Sequence, residues 1–288
     1  RRYYLHYPKV AIGQWPPGFY ALQLLWTLPF GVSRVSLILL MSLISALTAT
    51  AVFCVLRREL GTPHAAVGGL LFLLLPGVQN YGSRLLTELP LALFLLLATL
   101  QFGRTMRTER VRDAVGFALL ACAAILTKGS ALCLALVPPF AMLFAGRFSL
   151  LRRGGLWLAA LIVAAVCGPW YWLALGISKT TWGQGSSLSP THALVVLPGY
   201  ADGFVRLGGP LLLFLALSGI AVALVDRDRR ARWAAPVALI PRLIALLALT
   251  PVGADPRHLV PLAPIWIMAC ALAAKWASER IAPLARTR

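Results

Sequence analysis

The chain is poor in charge. Asp, Glu, Lys and Arg make up 12 % of its 288 residues, about half of the roughly 25 % usual in a soluble domain, so a conventional water-soluble globule is excluded. Acids are the scarcest: nine Asp and Glu stand against 27 Lys and Arg, a formal net charge of +18. The five cysteines (Cys54, Cys122, Cys133, Cys167 and Cys270) lie inside apolar runs, with no CxxC and no neighbouring histidine. They read as small buried hydrophobes rather than as disulfide partners or metal ligands. P-loop, GxGxxG, HExxH and GxSxG signatures are all missing. No cleavable signal peptide is visible. Residue 1 is Arg and opens a polar, aromatic stretch, so the sequence reads as starting partway into a longer protein.

Apolar residues fill the space. They account for 59 % of the chain, and the mean hydropathy is +0.80. Runs such as LILLMSLISALTATAVFCVL (37–56) reach the ~20 residues that cross a ~30 Å hydrocarbon core. The breaks between runs predict nine spans, 37–56, 65–80, 89–103, 114–126, 131–146, 156–175, 208–225, 233–251 and 259–274. The fold class is an all-α polytopic membrane protein, with about nine transmembrane helices plus a short interfacial one. Residues 1–32 form an outer-face loop and interfacial helix, and residues 33–288 form the bundle, with an outer loop at 176–206.

The breaks alternate in character. RREL (57–60), RTMRTERVRD (104–113), RFSLLRR (147–153), DRDRRAR (226–232) and the tail from Lys275 hold 17 of the 27 basic residues. The positive-inside rule makes these cytoplasmic. Basic hinges between apolar runs report orientation, not a nucleic-acid partner. The other breaks, including TKGS (127–130), the stretch 176–206 and PVGADPRH (251–258), then face outward, and so does the opening elbow GQWPPGFYALQLLW (13–26). Pro16 and Pro17 suit a helix start. The following residues to Phe30, with Tyr20 and Trp26, suit a helix lying at the headgroup boundary.

The outward face is the informative one, because cations are least expected there. Its acids are Glu88, Asp202 and Asp255, against cations that include Arg34, Arg84, Lys128, Arg206 and Arg257. That balance suits an anionic substrate such as a lipid phosphate. Glu88 has two readings. It, or Thr87, caps the helix that follows, or it is a working carboxylate that binds a metal, orients a sugar hydroxyl or takes a proton. Arg84, four residues earlier, is its expected partner if the turn is helical. The short run 114–126 places Lys128 below the outer membrane surface, facing a cavity, or snorkelling to the interface. Asp255, Arg257 and His258 form either a phosphate-holding loop or an interfacial anchor. Arg242, inside a span, should face the bundle interior. There is no soluble domain bearing a DxD pair for a nucleotide sugar, so any sugar donor would be lipid-linked.

Taken together, these stretches resemble the GT-C superfamily of membrane glycosyltransferases, particularly bacterial relatives of protein O-mannosyltransferases and of the lipid A aminoarabinose transferase. The resemblance is carried by WPPGFYALQLLWTLPFG (15–31), SRVSLILLMSLISALTATAVFCVLRREL (33–60), SRLLTELPLALF (83–94), ILTKGSALCL (125–134) and PRHLVPLAPIWIMAC (256–270). It implies a polyprenyl-phosphate sugar donor and inversion at the anomeric carbon. It also implies a general-base aspartate in a first outer loop ahead of Arg1. Glu88 matches the family's second acidic position, Lys128 the lysine of its K-G turn, and Arg257 the arginine before a late span. Gln14 and Trp15 depart from the acid–lysine pair or histidine that relatives often carry there.

The site expected on these grounds has Glu88 as catalytic residue. Arg84, Lys128, Arg257, His258, Gln14, Trp15 and Tyr20 are its substrate-binding residues, a divalent metal is possible, and no other cofactor is implied. The acceptor would be a lipid, a glycan or a protein, at the periplasmic face of a bacterial inner membrane. A transporter or flippase for lipid-linked saccharides is the rival reading. It predicts an internal repeat with paired broken helices, and no such repeat is visible. A non-catalytic membrane subunit is a third.

Overall fold

In hydrocarbon a backbone N–H has no water to bond, so the apolar runs must close their hydrogen bonds within themselves, as helices. A computed structural model describes residues 15–181, 190–225, 227–249 and 255–286. Among these there is no strand. The helices are α1 (Gly18–Phe30), α2 (Arg34–Leu60), α3 (Thr62–Leu74), α4 (Pro76–Gly82), α5 (Glu88–Thr108), α6 (Val111–Thr127), α7 (Val137–Ala145), α8 (Gly154–Thr181), α9 (Pro190–Val225), α10 (Arg227–Leu249) and α11 (Ala263–Arg286). Gly129–Leu136, Phe148–Arg152 and Pro256–Leu262 are 3₁₀ segments.

The described residues of the nine apolar runs are α- or 3₁₀-helical apart from Leu75 and Gly146. Among the described residues, six helices are long and apolar enough to cross a membrane, and α3 with α4 forms a seventh span if the bent pair is taken as one. The 57° bend falls at Leu75, held extended at φ −58° and ψ 128°, because the Pro76 ring disfavours helical geometry in the residue before it. The other two runs, 114–126 and 131–146, are helical but short. α6 has 17 residues, and the second run is split between a 3₁₀ segment and the nine-residue α7.

The stretch 176–206, expected as a loop, is helical at both ends. Residues 176–181 continue α8, and 190–206 open α9; residues 182–189 lie outside the described part. α9 has 36 residues, about 54 Å of helix at ~1.5 Å per residue, more than one membrane crossing. It breaks at Gly209 (φ 82°, ψ 167°), a conformation that side chains with a Cβ rarely adopt, and Pro210 follows. The break falls at the start of the apolar run 208–225.

α1 keeps leucines outward (Leu24, Leu25 and Leu28 are all exposed) and is not among the spanning helices. Trp26 ties it to α2, its indole Nε1 donating to the Ser36 carbonyl at 2.9 Å and to Ser36 Oγ at 3.0 Å. α5 is apolar and buried on nearly every side, as a helix at the centre of a bundle must be. The span beginning at Pro256 is likewise buried, whereas α8 and α9 stand at the outside. Arg242, half-buried, lays its guanidinium over the Phe140 ring of α7, 3.1 Å from the centroid, a cation–π contact. Four of the five cysteines are buried; Cys54, read from sequence as buried, is exposed.

The five arginine-rich breaks meet at one end of the bundle. Arg232 pairs with Glu59 at 2.6 Å and Arg153 with Glu109 at 2.7 Å. Lys275 donates to the Glu59 carbonyl, and Arg229 reaches Glu279 at 4.0 Å. Glu88 begins α5 and Arg107 lies in its last turn. Nineteen residues of helix, about 28 Å at ~1.5 Å per residue, separate the basic end from the end where Glu88 lies.

Candidate functional site

At the Glu88 end lies a cavity of about 710 Å³. Glu88, Lys128, Arg257 and His258 line it, under aromatic walls from Trp15, Phe19, Tyr20, Trp170 and Tyr171.

Glu88 is the first residue of α5, where the positive end of the helix dipole favours an anion. Thr87, at the cap position, makes no side-chain cap bond, and Glu88 turns to Lys128 instead, whose Nζ donates to Oε1 at 2.8 Å. Both groups are nearly sealed from solvent, at 3 % and 12 % side-chain exposure. Arg257 Nε stands 3.9 Å from the same Oε1. It also meets Asp255 Oδ2 at 3.1 Å and donates to His258 Nε2 at 3.2 Å. Asp255 Oδ1 accepts from the Arg257 amide at 2.9 Å, which fixes the start of the 3₁₀ segment Pro256–Leu262.

The Lys128 turn is held from two sides. Lys128 is extended (φ −156°, ψ 136°), so the helix stops there and the ammonium is aimed back across α5. Tyr171 Oη donates to the Ile125 carbonyl at 3.1 Å. On the other side α1 begins directly against the turn: a Cβ on Gly18 would lie 2.7 Å from the Leu126 carbonyl carbon and oxygen. Only glycine lets the elbow approach so closely, and Pro17 at the cap starts the helix without needing an N–H of its own.

The cluster is donor-rich rather than charge-rich. Lys128 and Arg257 are matched by Glu88 and Asp255, and an excess of cation is not what the geometry provides here. Lys128 has three N–H donors and Arg257 five. The bonds described use one donor of Lys128 and Nε of Arg257, plus its backbone amide. The terminal amino groups of Arg257 make no hydrogen bond among the described residues. Two buried atoms, Glu88 Oε2 and His258 Nδ1, have no hydrogen-bond partner among the described residues, which is uncommon for buried polar groups.

Of the residues expected from sequence, Glu88, Lys128, Arg257, His258, Trp15 and Tyr20 meet at this cavity. Gln14 lies outside the described residues. Arg84 does not line the cavity, and the expected Arg84–Glu88 pair does not form. Residues 83–87 are turn rather than helix, so four-residue spacing no longer places two side chains on one face. Arg84 is exposed, 5.9 Å from the Tyr81 ring centroid. Trp170 and Tyr171 were not anticipated as site residues, although PWYW (169–172) marks an aromatic cluster near the end of an apolar run. Among the described residues, no group of three His, Cys, Asp or Glu side chains is placed to hold a metal ion.

The sequence model of the family described as dolichyl-phosphate-mannose-protein mannosyltransferase matches residues 14–172, more than half of the chain. No curated protein matches it. Two solved structures do: ArnT from Cupriavidus metallidurans in the apo state, with TM-score 0.67 and 19 % identity, and the same protein bound to undecaprenyl phosphate, with TM-score 0.65 and 20 % identity. They cover 93 % and 94 % of this chain but 51 % and 52 % of their own, so the chain spans about half the length of the structures it matches. At such identity the likeness is one of fold: a polytopic, all-helical bundle. On the family match, the chain belongs to the dolichyl-phosphate-mannose-protein mannosyltransferase family.

Proposed function

We propose that this chain carries the donor-binding side of an integral-membrane glycosyltransferase that moves a sugar from a polyprenyl-phosphate donor to an acceptor at the periplasmic face of a bacterial inner membrane. The observation that carries the reading is the Glu88–Lys128–Arg257–His258 cluster lining an aromatic-walled cavity, around a carboxylate that is 3 % exposed, at the end of the bundle opposite the arginine hinges. ArnT has been solved with undecaprenyl phosphate bound, and the shared fold makes a donor of that chemical class the natural one to test.

In this reading the spare N–H donors of Lys128 and Arg257 hold the donor phosphate and offset the charge that develops as it leaves. Glu88, set between two cations, positions Lys128 and Arg257 against that phosphate, and His258 Nε2, accepting from Arg257, fixes its guanidinium. The aromatic side chains form the face on which the sugar stacks. The displacement inverts the anomeric carbon, and the acceptor hydroxyl is deprotonated by an aspartate of an outer loop upstream of this sequence, as the family resemblance implies. The acceptor is a lipid, glycan or protein.

The test is transfer in proteoliposomes, with full-length protein and radiolabelled polyprenyl-phosphate sugars. Glu88→Gln and Lys128→Ala should each lower turnover at least ~100-fold, the scale on which one transition-state contact counts, while donor binding persists in the first and weakens in the second. Unchanged rates in both folded variants would overturn the assignment.

A further inference from the structure

A second cavity, of about 370 Å³, lies at the basic end of the bundle, between the ends of α2 and α5 and the start of α10. Arg58, Arg104, Arg107 and Arg232 line it, with one acid, Glu59. Helix C-termini and positive-inside topology account for arginines at this level, but not for four of them converging on one cleft.

Their pairing is incomplete. Arg232 is matched by Glu59 at 2.6 Å, and Arg104 by Asp113 at 3.1 Å. Arg107 donates only to the Gly103 carbonyl of its own helix, at 3.3 Å, and Arg58 has no ion-pair partner among the described residues. The charges of Arg232, Arg58 and Arg104 all oppose that of Arg107. Below this cationic rim the cavity is apolar, with Leu97, Leu100, Trp233 and Met268 in its walls. A free anion would answer the rim and leave the apolar wall without a partner, whereas a neutral apolar molecule would do the reverse. A ligand that satisfies both is an amphiphile with an anionic head.

We infer that this cavity binds an anionic glycerophospholipid of the leaflet at the basic end, its phosphodiester held by Arg58 and Arg107 and its upper chains lying against Leu97, Leu100 and Trp233. The site is on the opposite side of the bundle from the Glu88 cavity and does not depend on the transfer reaction. Basic clefts between spans are suited to such headgroups, and each basic residue near the surface contributes roughly fivefold to binding.

Full-length protein in mild detergent is titrated with phosphatidylglycerol, with phosphatidylethanolamine and with soluble glycerol phosphate, and bound lipid is read by native mass spectrometry. Phosphatidylglycerol should be retained about tenfold more tightly than phosphatidylethanolamine, and glycerol phosphate at equal concentration should not displace it. Arg58→Gln with Arg107→Gln should weaken retention about 25-fold, while Arg58→Lys with Arg107→Lys keeps most of it. Equal retention of the two lipids by wild type would overturn the site, as would equal retention by wild type and the glutamine variant. Displacement by glycerol phosphate would replace the lipid with a free anion. The wild-type comparison decides even if the glutamine variant fails to fold.

Discussion

Glu88 and Lys128 form one pair, but they do not fail alike. Lys128→Met leaves a carboxylate that is 3 % exposed, with Arg257 3.9 Å away as its nearest remaining cation, and a buried charge stripped of its partner costs about 3 kcal/mol or more. Glu88→Gln leaves a neutral amide still within hydrogen-bond reach, and the freed ammonium is the more exposed group, so the loss should be nearer ~1 kcal/mol. The double variant should lose less than the two single losses added together. Thermal unfolding in detergent checks the order, and a Lys128→Met variant milder than Glu88→Gln would contradict it. The sequence identified both residues and missed that they pair, because 40 positions separate them. It paired Glu88 with Arg84 instead, on a helical spacing that the turn at 83–87 does not keep.

At the scale of elements, membrane helices have no hydrophobic drive toward one another and depend on close backbone approach. Where α9 crosses α11, a Cβ on Gly219 would overlap the Ala269 carbonyl, and a backbone group cannot swing aside as a side chain end does. Gly219→Ala should therefore cost about 2 kcal/mol, within the usual range for overpacking, and lower the yield of monodisperse protein. Gly168 in α8 has open space where its Cβ would go, and Gly168→Ala should be neutral or slightly stabilising. Equal losses at the two positions would mean that the α9–α11 contact is not close. Apolar run length located α2, α5, α6, α8, α10 and α11, because hydropathy is a local sum. It did not show that residues 176–181 and 190–206 are helical too. Their Gly, Ser and Pro content reads as loop until the neighbouring elements supply packing, as the buried Tyr200 and Phe204 do.

For the whole molecule, the ends of the bundle carry different chemistry, and the proposed periplasmic orientation follows from which end is basic. Single cysteines placed at Arg84 and Asp202, in a background where exposed Cys54 is alanine, should react with a membrane-impermeant maleimide in intact cells. Cysteines at Arg110 and Arg152 should react only after permeabilisation. Labelling of all four from one side would remove the sidedness on which the transfer reading rests. The proposed orientation rests on the hinge charges alone, since the rule counts residues and needs no fold. The contacts that join the five hinges at one end were not legible, since they depend on how the spans are ordered around α5.

Membrane character, helical class, the number of apolar runs and the candidate polar residues follow from the sequence alone, because each is a property of a stretch of chain and its solvent. Which polar residues share a cavity was decided by packing. The Gly18 approach to the Lys128 turn, the placing of Trp170 and Tyr171 beside Glu88, the exclusion of Arg84 and the matching of cations by acids all require helices distant in sequence to meet. Neither composition nor spacing encodes that meeting in a form that can be read one segment at a time.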